Sequence, residues 1–289
     1  MEPGVSTPRR AWNLLRTFVV TPLVALTLGL ALLTSCQTDL IFPAGGTVWR
    51  DPGDMGWPFE EVWLKPAPGE RTHAWWMPLE DMRGAVLFSH GNAGTIADRL
   101  DFAAILREQR VGVFFYDYGG YGNSSGRPSE ERCYQDIRAA WQWLTEEEGI
   151  DPGRIVLMGR SLGGGPAIHL AAEVEPAGVI AESSFTSIPD VAAETFFFLP
   201  VRRLVRHHMD NASKIGGIDA PVLILHSPGD TTIRFRHGEA LYEAATAPKR
   251  FHEMRGGHND GWYLSYPEYG RVLGEFFDDV LSGKAGGGA

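Results

Sequence analysis

Three residues of this chain have side chains that could together perform nucleophilic catalysis: Ser161, Asp230 and His258. A serine hydroxyl is a weak nucleophile, so it needs a neighbouring base, and the base needs a third group that fixes its orientation. Histidine and aspartate commonly fill these two roles. The residue types therefore predict acyl transfer through Ser161, with His258 as the base and Asp230 as the group that orients it.

Ser161 lies in the pattern Gly-x-Ser-x-Gly at residues 159–163, which is typical of a nucleophile at a tight strand-to-helix turn. The apolar run at residues 155–158 leads directly into this serine, and a helical pattern follows it at once. A second match surrounds Ser124, but glycines separate it from the preceding strand and Arg127-Pro128 from the following helix. The context therefore favours Ser161.

Asp230 and His258 each follow a predicted strand, at residues 222–225 and 250–254. In a parallel sheet the strands end at one common edge, where such folds place their sites. Glu182, just after the strand at 179–181, is an alternative acid. Asp260 is expected to serve the histidine loop itself.

When the serine attacks a carbonyl carbon, negative charge develops on the carbonyl oxygen, and two backbone N–H groups are needed to stabilise it. Leu162, directly after the serine, would supply one of these groups. Asn92, in the loop His90-Gly91-Asn92-Ala93-Gly94 after the strand at 85–89, would supply the other. We interpret His90 as a residue that braces this loop rather than as a base.

The elements that must position these residues alternate between short apolar runs and longer amphipathic ones. This pattern predicts an α/β fold with a mostly parallel central sheet and helices on both faces. An opening hairpin covers residues 59–77, and six further strands begin near residues 85, 111, 155, 179, 222 and 250. Helical spacing marks residues 96–109, 129–148, 162–173, 236–247 and 262–281.

The first 35 residues differ from the rest, with arginines ahead of an apolar stretch, and are expected to be a signal peptide. At the end of this stretch, Leu33-Thr34-Ser35-Cys36 resembles the bacterial lipobox. This resemblance implies cleavage before Cys36 and lipid attachment at that cysteine. This predicts a membrane-anchored lipoprotein in the cell envelope that faces outside the cytoplasm. The alternative is an uncleaved signal anchor. We expect a membrane-proximal tether at 36–58, the hydrolase-like domain at 59–281 and a flexible tail at 282–289.

Composition excludes several classes of protein. The chain has 289 residues, 44% of them hydrophobic, so it can bury a core of ordinary size. Its net charge of −10 argues against nucleic-acid binding. The two cysteines, Cys36 and Cys133, cannot form a four-thiolate zinc site, and the histidines show no metal-binding spacing. The sequence therefore predicts no metal and no cofactor, with Cys133 packed on a helix and inert.

Four segments together resemble the abhydrolase-domain serine hydrolases: residues 88–94, 116–130, 159–164 and 257–260. The most similar branch includes eukaryotic protein depalmitoylases and bacterial relatives. The resemblance covers about residues 59–281 and implies the α/β-hydrolase fold, an acyl-enzyme mechanism and the triad Ser161, Asp230 and His258. The loop that contains the acid departs from the family pattern: Ser227-Pro228 follows the histidine where a glycine is usual, and Arg234 stands where a proline is usual.

A short lid is expected at residues 183–220, where Phe196, Phe197 and Phe198 precede the basic residues Arg202, Arg203, Arg206, His207 and His208. This composition suits contact with an anionic bilayer or an acyl chain, although the phenylalanines could instead pack on the core. The sequence predicts a membrane-tethered hydrolase of carboxylic esters or thioesters, whose substrate is a small-molecule or lipid acyl ester such as a palmitate ester. A serine peptidase and a non-enzymatic binding protein are the alternatives.

Overall fold

The strands form one mixed sheet in a computed structural model that describes residues 12–13 and 16–282. The strand order is β1-β2-β4-β3-β5-β6-β7-β8. Antiparallel pairing joins β1 to β2 and β2 to β4, and the other neighbours are parallel. The strands are β1 (Glu60–Leu64), β2 (Thr72–Met77), β3 (Ala85–Ser89), β4 (Gly112–Tyr116), β5 (Ile155–Arg160), β6 (Gly178–Glu182), β7 (Val222–His226) and β8 (Lys249–Glu253).

Helices connect and cover these strands. They are α1 (Thr21–Ile41), α2 (Leu100–Glu108), α3 (Glu130–Gln142), α4 (Gly164–Ala171), α5 (Ile188–Thr195), α6 (Asn211–Ile215), α7 (Arg236–Ala244), α8 (Gly261–Leu264) and α9 (Glu268–Leu281). Shorter 3-10 turns include Ser161–Gly163 and Val201–Arg203. The prediction of a mostly parallel sheet with helices on both faces is confirmed.

The strand β3 shows why both faces of the sheet are covered. All five of its residues are buried. Ala85 and Leu87 belong to one hydrophobic cluster, whereas Val86 and Phe88 belong to a second cluster. Successive strand residues point to opposite faces, so the continuous apolar run supplies both clusters at once.

The prediction of one final helix over residues 262–281 was wrong. The structure has α8 and α9 separated by Ser265, Tyr266 and Pro267. Proline has no backbone N–H to donate and disfavours a helical residue before it, which explains the break. The Ser265 hydroxyl accepts a 2.8 Å hydrogen bond from the Arg255 N–H and so ties the break to the loop after β8.

The segment that contains Cys36 is helical and packs against the domain. Cys36 is half-buried in α1, and Phe42, just after that helix, is fully buried. Within the described part of the chain, none of the helices combines the length and apolar character needed to cross a bilayer. The arginines at positions 9 and 10 and the predicted tail beyond Ser282 lie outside the described residues.

The predicted lid segment lies between β6 and β7 and contains α5, the turn Val201–Arg203 and α6. Phe197 is 83% exposed and Phe198 is 68% exposed, so the alternative that these rings pack on the core is wrong. Phe196 is half-buried and faces the cavity described below. The apolar run is therefore divided between the inside and the outside of the lid.

Candidate active site

Ser161 lies at a sharp turn between β5 and α4. Its backbone φ is +53°, a left-handed conformation that few residues other than glycine adopt. Glycine is required on both sides because a Cβ at Gly163 would lie 1.9 Å from the Ser89 carbonyl oxygen, and one at Gly159 would lie 2.2 Å from the Gly163 carbonyl oxygen. The two glycines let the turn pack tightly, which raises the serine above the end of the sheet.

The structure brings Ser161, His258 and Asp230 together in one hydrogen-bonded row. His258 Nε2 lies 2.9 Å from Ser161 Oγ, and His258 Nδ1 lies 2.7 Å from Asp230 Oδ2. The Asp230 side chain is fully buried and that of His258 is 10% exposed. In this arrangement Nε2 can accept the serine proton while Nδ1–H donates to the carboxylate.

The second carboxylate oxygen of Asp230 accepts hydrogen bonds from the N–H groups of Thr232 and Ile233, each at 2.9 Å. Burial alone would raise the pKa of Asp230, but the imidazoles of His226 and His258 and the Ile233 N–H outweigh it, so that this pKa is lowered. Asp230 is therefore held as a carboxylate and in a fixed orientation toward His258.

Two buried tyrosines hold the loop that contains Asn92. The Tyr118 hydroxyl donates to the His90 carbonyl oxygen at 2.6 Å, and the Tyr121 hydroxyl donates to the Asn92 carbonyl oxygen at 2.8 Å. Burial raises the pKa of both hydroxyls, so both remain protonated donors. The carbonyl oxygens of His90 and Asn92 point toward the tyrosines, while Asn92 lines the cavity. The tyrosines therefore hold the loop through its backbone.

The loop and the serine turn approach each other closely. A Cβ at Gly91 would lie 3.6 Å from the Ser161 Cβ, which is ordinary contact distance. Asn92, Leu162 and Ser161 line the same cavity. His90 is fully buried, with Nδ1 2.7 Å from the Gly91 carbonyl oxygen and Nε2 3.4 Å from Asp117. These contacts agree with a bracing role for His90.

Arg160 fixes the histidine loop, a role that the sequence reasoning missed. Its guanidinium donates to the carbonyl oxygens of His258 and Asn259 at 3.0 and 2.9 Å. Glu182, fully buried, forms an ion pair with Arg160 at 3.2 Å and accepts a 2.5 Å hydrogen bond from the Tyr269 hydroxyl. Arg160 and Glu182 are register partners on neighbouring strands, so Glu182 is engaged there rather than beside His258.

Other residues singled out in the sequence have structural contacts. The Ser124 hydroxyl accepts the His73 N–H at 2.9 Å and lies 3.3 Å from the Asp117 carbonyl oxygen. Asp260 accepts the Gly257 N–H at 2.6 Å, within its own loop. Cys133 is buried on α3, and burial raises the pKa of its thiol. The Ser124 hydroxyl thus joins the backbone of β2 to the backbone that follows β4.

Ser161 and His258 open onto a cavity of about 760 Å³ between the lid, the loop of Asn92 and the end of α1. This volume is within the range that encloses a small-molecule ligand. Most of the wall is apolar, contributed by Leu40, Ile41, Leu162, Phe185, Ile188, Val191, Ala192, Phe196, Val201, Leu204, Val205 and Ile233. A long apolar group attached to an electrophilic carbon suits such a cavity.

A family model described as "Serine aminopeptidase, S33" matches residues 80–214. An uncharacterized protein of Mycobacterium tuberculosis is 37% identical over 216 residues, which cover 74% of this chain and 75% of that protein. The human α/β hydrolase domain-containing protein 17B is 40% identical over 203 residues, which cover 68% of this chain and 67% of that protein.

Solved structures show the same fold. An esterase of Pyrococcus furiosus superposes with a TM-score of 0.68 at 19% identity and covers 80% of this chain and 94% of the esterase. An α/β hydrolase of Vibrio vulnificus superposes with a TM-score of 0.62 at 23% identity, over 78% of this chain and 81% of that one. The identity and coverage of the relatives, together with this fold, show that the chain belongs to the α/β-hydrolase family, in the branch that includes the α/β hydrolase domain-containing proteins 17.

Proposed function

We propose that this protein hydrolyses carboxylic esters or thioesters of long acyl groups at a membrane surface, with Ser161, His258 and Asp230 as its catalytic triad. The observation that carries the proposal is the row of hydrogen bonds from Ser161 Oγ to His258 to Asp230, at 2.9 and 2.7 Å, which opens into a mainly apolar cavity. The resemblance to the depalmitoylase branch supports an acyl substrate such as palmitate.

In the first half of the reaction, Ser161 Oγ attacks the acyl carbonyl carbon while its proton moves to His258 Nε2. Asp230 stabilises the imidazolium that forms, since its carboxylate already accepts the Nδ1–H. The negative charge on the former carbonyl oxygen is stabilised by the N–H groups of Asn92 and Leu162. When the carbon–oxygen or carbon–sulfur bond breaks, the alcohol or thiol leaves with the proton from Nε2 and the acyl group stays on Ser161.

The second half repeats these steps with water. His258 Nε2 takes a proton from the attacking water, and the same N–H groups stabilise the second tetrahedral intermediate. Collapse of this intermediate returns the proton to Ser161 Oγ and releases the carboxylic acid. The protein therefore needs no cofactor for this reaction.

An aminopeptidase is the second candidate, because the matching family model carries that description. Such an enzyme must bind the ammonium group of its substrate, which requires an available carboxylate beside the nucleophile. Among the described residues that line the cavity the one acid is Asp98, and its carboxylate accepts hydrogen bonds from the Thr95 N–H at 2.8 Å and the Trp49 indole N–H at 3.0 Å. The apolar wall and this engaged acid favour the acyl ester.

Membrane attachment through Cys36 is part of the proposal, with the domain outside the cytoplasm in the cell envelope. The lipobox-like residues 33–36 support it, together with the exposed Phe197 and Phe198 on the lid. Large exposed aromatic side chains beside basic residues suit contact with a bilayer surface. An uncleaved signal anchor would place the domain beside a membrane as well.

A fluorophosphonate probe and a chain-length series of p-nitrophenyl esters, run beside aminoacyl anilides and acyl thioesters, test the catalytic proposal. We expect labelling at Ser161, hydrolysis of esters and thioesters, and little cleavage of the anilides. Rapid anilide cleavage with slow ester hydrolysis would favour the aminopeptidase. Absence of both labelling and hydrolysis would favour a non-enzymatic binding protein.

Substitution of Cys36 tests the anchor. Cys36→Ser cannot form the thioether, so we expect a full-length precursor without lipid in an intact-mass measurement after detergent extraction. Cys133→Ser is the matched control, because that thiol is buried, and its product should carry the same lipid as the wild type. A wild-type protein of full length and without added lipid would support the signal anchor instead.

A further inference from the structure

Residues 37–50 form a strap that joins the lid to the loop beside the nucleophile. At the lid end, the Gln37 side-chain oxygen accepts the Arg206 N–H at 2.7 Å. Thr38 Oγ1 lies 3.0 Å from His207 Nε2, and the ring of Phe42 packs edge-on against His207 with centroids 5.1 Å apart. Three contacts therefore fasten residues 37–42 to residues 206 and 207 of the lid.

At its other end the strap is fastened next to the loop of Asn92. Gly45 N–H donates to the Gly120 carbonyl oxygen at 2.9 Å, one residue before Tyr121, whose hydroxyl holds Asn92. Farther along, the Trp49 indole N–H donates to Asp98 at 3.0 Å and the Arg50 side chain donates to the Ala97 carbonyl oxygen at 2.9 Å. The strap thus runs along one side of the cavity between two fixed points.

One face of the strap forms part of the cavity wall. Gln37, Leu40 and Ile41 line the same cavity as Ser161. Leu40 and Ile41 lie three and four positions after Gln37, a spacing that places them beside it on one side of a helix. Leu204 and Val205 of the lid line the cavity too, so the apolar end of the strap and the lid form the wall together.

We propose that the strap determines acyl-chain length, with Ile41 and Leu40 as specificity-determining residues that contact the methylene groups remote from the carbonyl. This inference rests on the proposed esterase function and adds the part of the protein that selects the substrate. The lid is only part of the wall, because Gln37, Leu40 and Ile41 of the strap line the cavity as well. Ile41 is half-buried and packs against the main hydrophobic cluster, so the wall that it forms is fixed in position.

The test compares kcat/KM for p-nitrophenyl palmitate and p-nitrophenyl acetate in the protein purified from the membrane in its processed form. Ile41→Trp places an indole ring on the cavity side of the strap. Asp39→Trp places the same ring on its exposed side. We expect the palmitate-to-acetate ratio to fall about tenfold in Ile41→Trp, which is the loss of about two methylene contacts. The ratio should stay within about twofold of the wild type in Asp39→Trp.

A second variant protects the test against misfolding. Leu40 is 61% exposed although it lines the cavity rim, so Leu40→Glu should fold normally while it places a charge against the acyl chain. Circular dichroism and fluorophosphonate labelling at Ser161 show in each variant that the fold and the nucleophile are intact. We expect the palmitate-to-acetate ratio to fall about tenfold here as well.

The outcomes separate this inference from the proposed function. An unchanged ratio in Leu40→Glu and in labelled Ile41→Trp overturns the strap as a specificity wall, while wild-type ester hydrolysis leaves the esterase proposal standing. A wild-type protein that hydrolyses none of the esters overturns the esterase proposal and the inference with it. A lower ratio in Asp39→Trp equal to that in Ile41→Trp overturns the assignment to the cavity face.

Discussion

The triad and the lid lie at the same edge of the sheet but are stabilised in different ways. Ser161 directly follows β5, Asp230 and His258 lie four and five residues after β7 and β8, and the Asp230 side chain is fully buried. Part of the lid is fastened by exposed contacts, such as the ion pair of Arg202, itself 63% exposed, with Asp190. Exposed ion pairs contribute little to stability. The backbone of the sheet therefore fixes the positions of the three catalytic side chains. The substrate-binding cavity, in contrast, is shaped by lid side chains that substitution can alter.

The largest effect should come from the nucleophile. Ser161→Ala removes the attacking oxygen, so we expect ester turnover to fall by roughly 10⁶ and probe labelling to disappear. Ser124→Ala is the matched control from the second Gly-x-Ser-x-Gly sequence, and its turnover should stay within a few-fold. Persistent labelling of the Ser161→Ala protein would show that the nucleophile lies elsewhere.

The next effect should come from the acid. Asp230→Asn cannot hold His258 in the required tautomer, so we expect turnover to fall by about 10⁴ with the fold intact. Glu182→Gln should cost much less, because Glu182 faces Arg160 and Tyr269. Steady-state kinetics and circular dichroism of both variants provide the measurement. If Glu182→Gln lowered turnover more than Asp230→Asn, the catalytic acid would be Glu182 at the end of β6.

A smaller effect should separate positioning from stability. Arg160→Met removes the two hydrogen bonds to the His258 loop, so we expect kcat for p-nitrophenyl acetate to fall about 100-fold. It leaves Glu182 buried without its cation, which should lower the melting temperature as well.

The double variant Arg160→Met/Glu182→Gln removes that unpaired carboxylate and keeps an acceptor for the buried Tyr269 hydroxyl. We expect the melting temperature to recover while kcat remains low, because the loop is still unsupported. Recovery of kcat together with stability would make Arg160 a structural residue only.

The smallest effect should come from the lid surface. Arg203 and Arg206 form no ion pair with any described residue, whereas Arg202 pairs with Asp190. Each free basic residue contributes about 1 kcal/mol at an anionic surface, so two contribute about 2 kcal/mol, roughly a 30-fold change in partitioning.

In a protein that begins at residue 36 with Cys36→Ser, and so carries neither the apolar signal segment nor lipid, Arg203→Gln/Arg206→Gln should therefore bind vesicles of anionic lipid about 30-fold more weakly at low salt. Arg202→Gln is the control and should change binding less. Hydrolysis of p-nitrophenyl acetate should be unaffected in both. Equal vesicle binding by all three proteins would indicate that the lid covers the cavity and does not bind the membrane through these arginines.

The parts that the sequence predicted well have local signals. β3 was predicted with its observed bounds because its apolar run ends at the polar residues Ser89 and His90. The placement of Ser161 followed from one strand, one turn and one helix in succession. Strand ends likewise placed Asp230 and His258 at one edge, since parallel strands end together.

The parts that were missed depend on contacts between distant segments. Arg160 and Glu182 meet only because β5 and β6 pair in one particular register, which apolar runs do not specify. The docking of residues 37–50 depends on contacts with the lid and with residues 97–120, more than 45 positions away in sequence. The break at Pro267 had a local signal, which the helical spacing on either side obscured.

The short distance between the proposed anchor and the cavity has a consequence for how the enzyme finds its substrate. Gln37 lines the cavity and directly follows Cys36, so lipid at that cysteine leaves no flexible stalk between the bilayer and the active site. A long linker would let the domain sample a large volume above the membrane. Without one, the search is confined to two dimensions, and the density of acyl esters in the outermost lipid layer sets their effective concentration. Esters carried well above the bilayer would stay out of reach, however reactive their carbonyl groups.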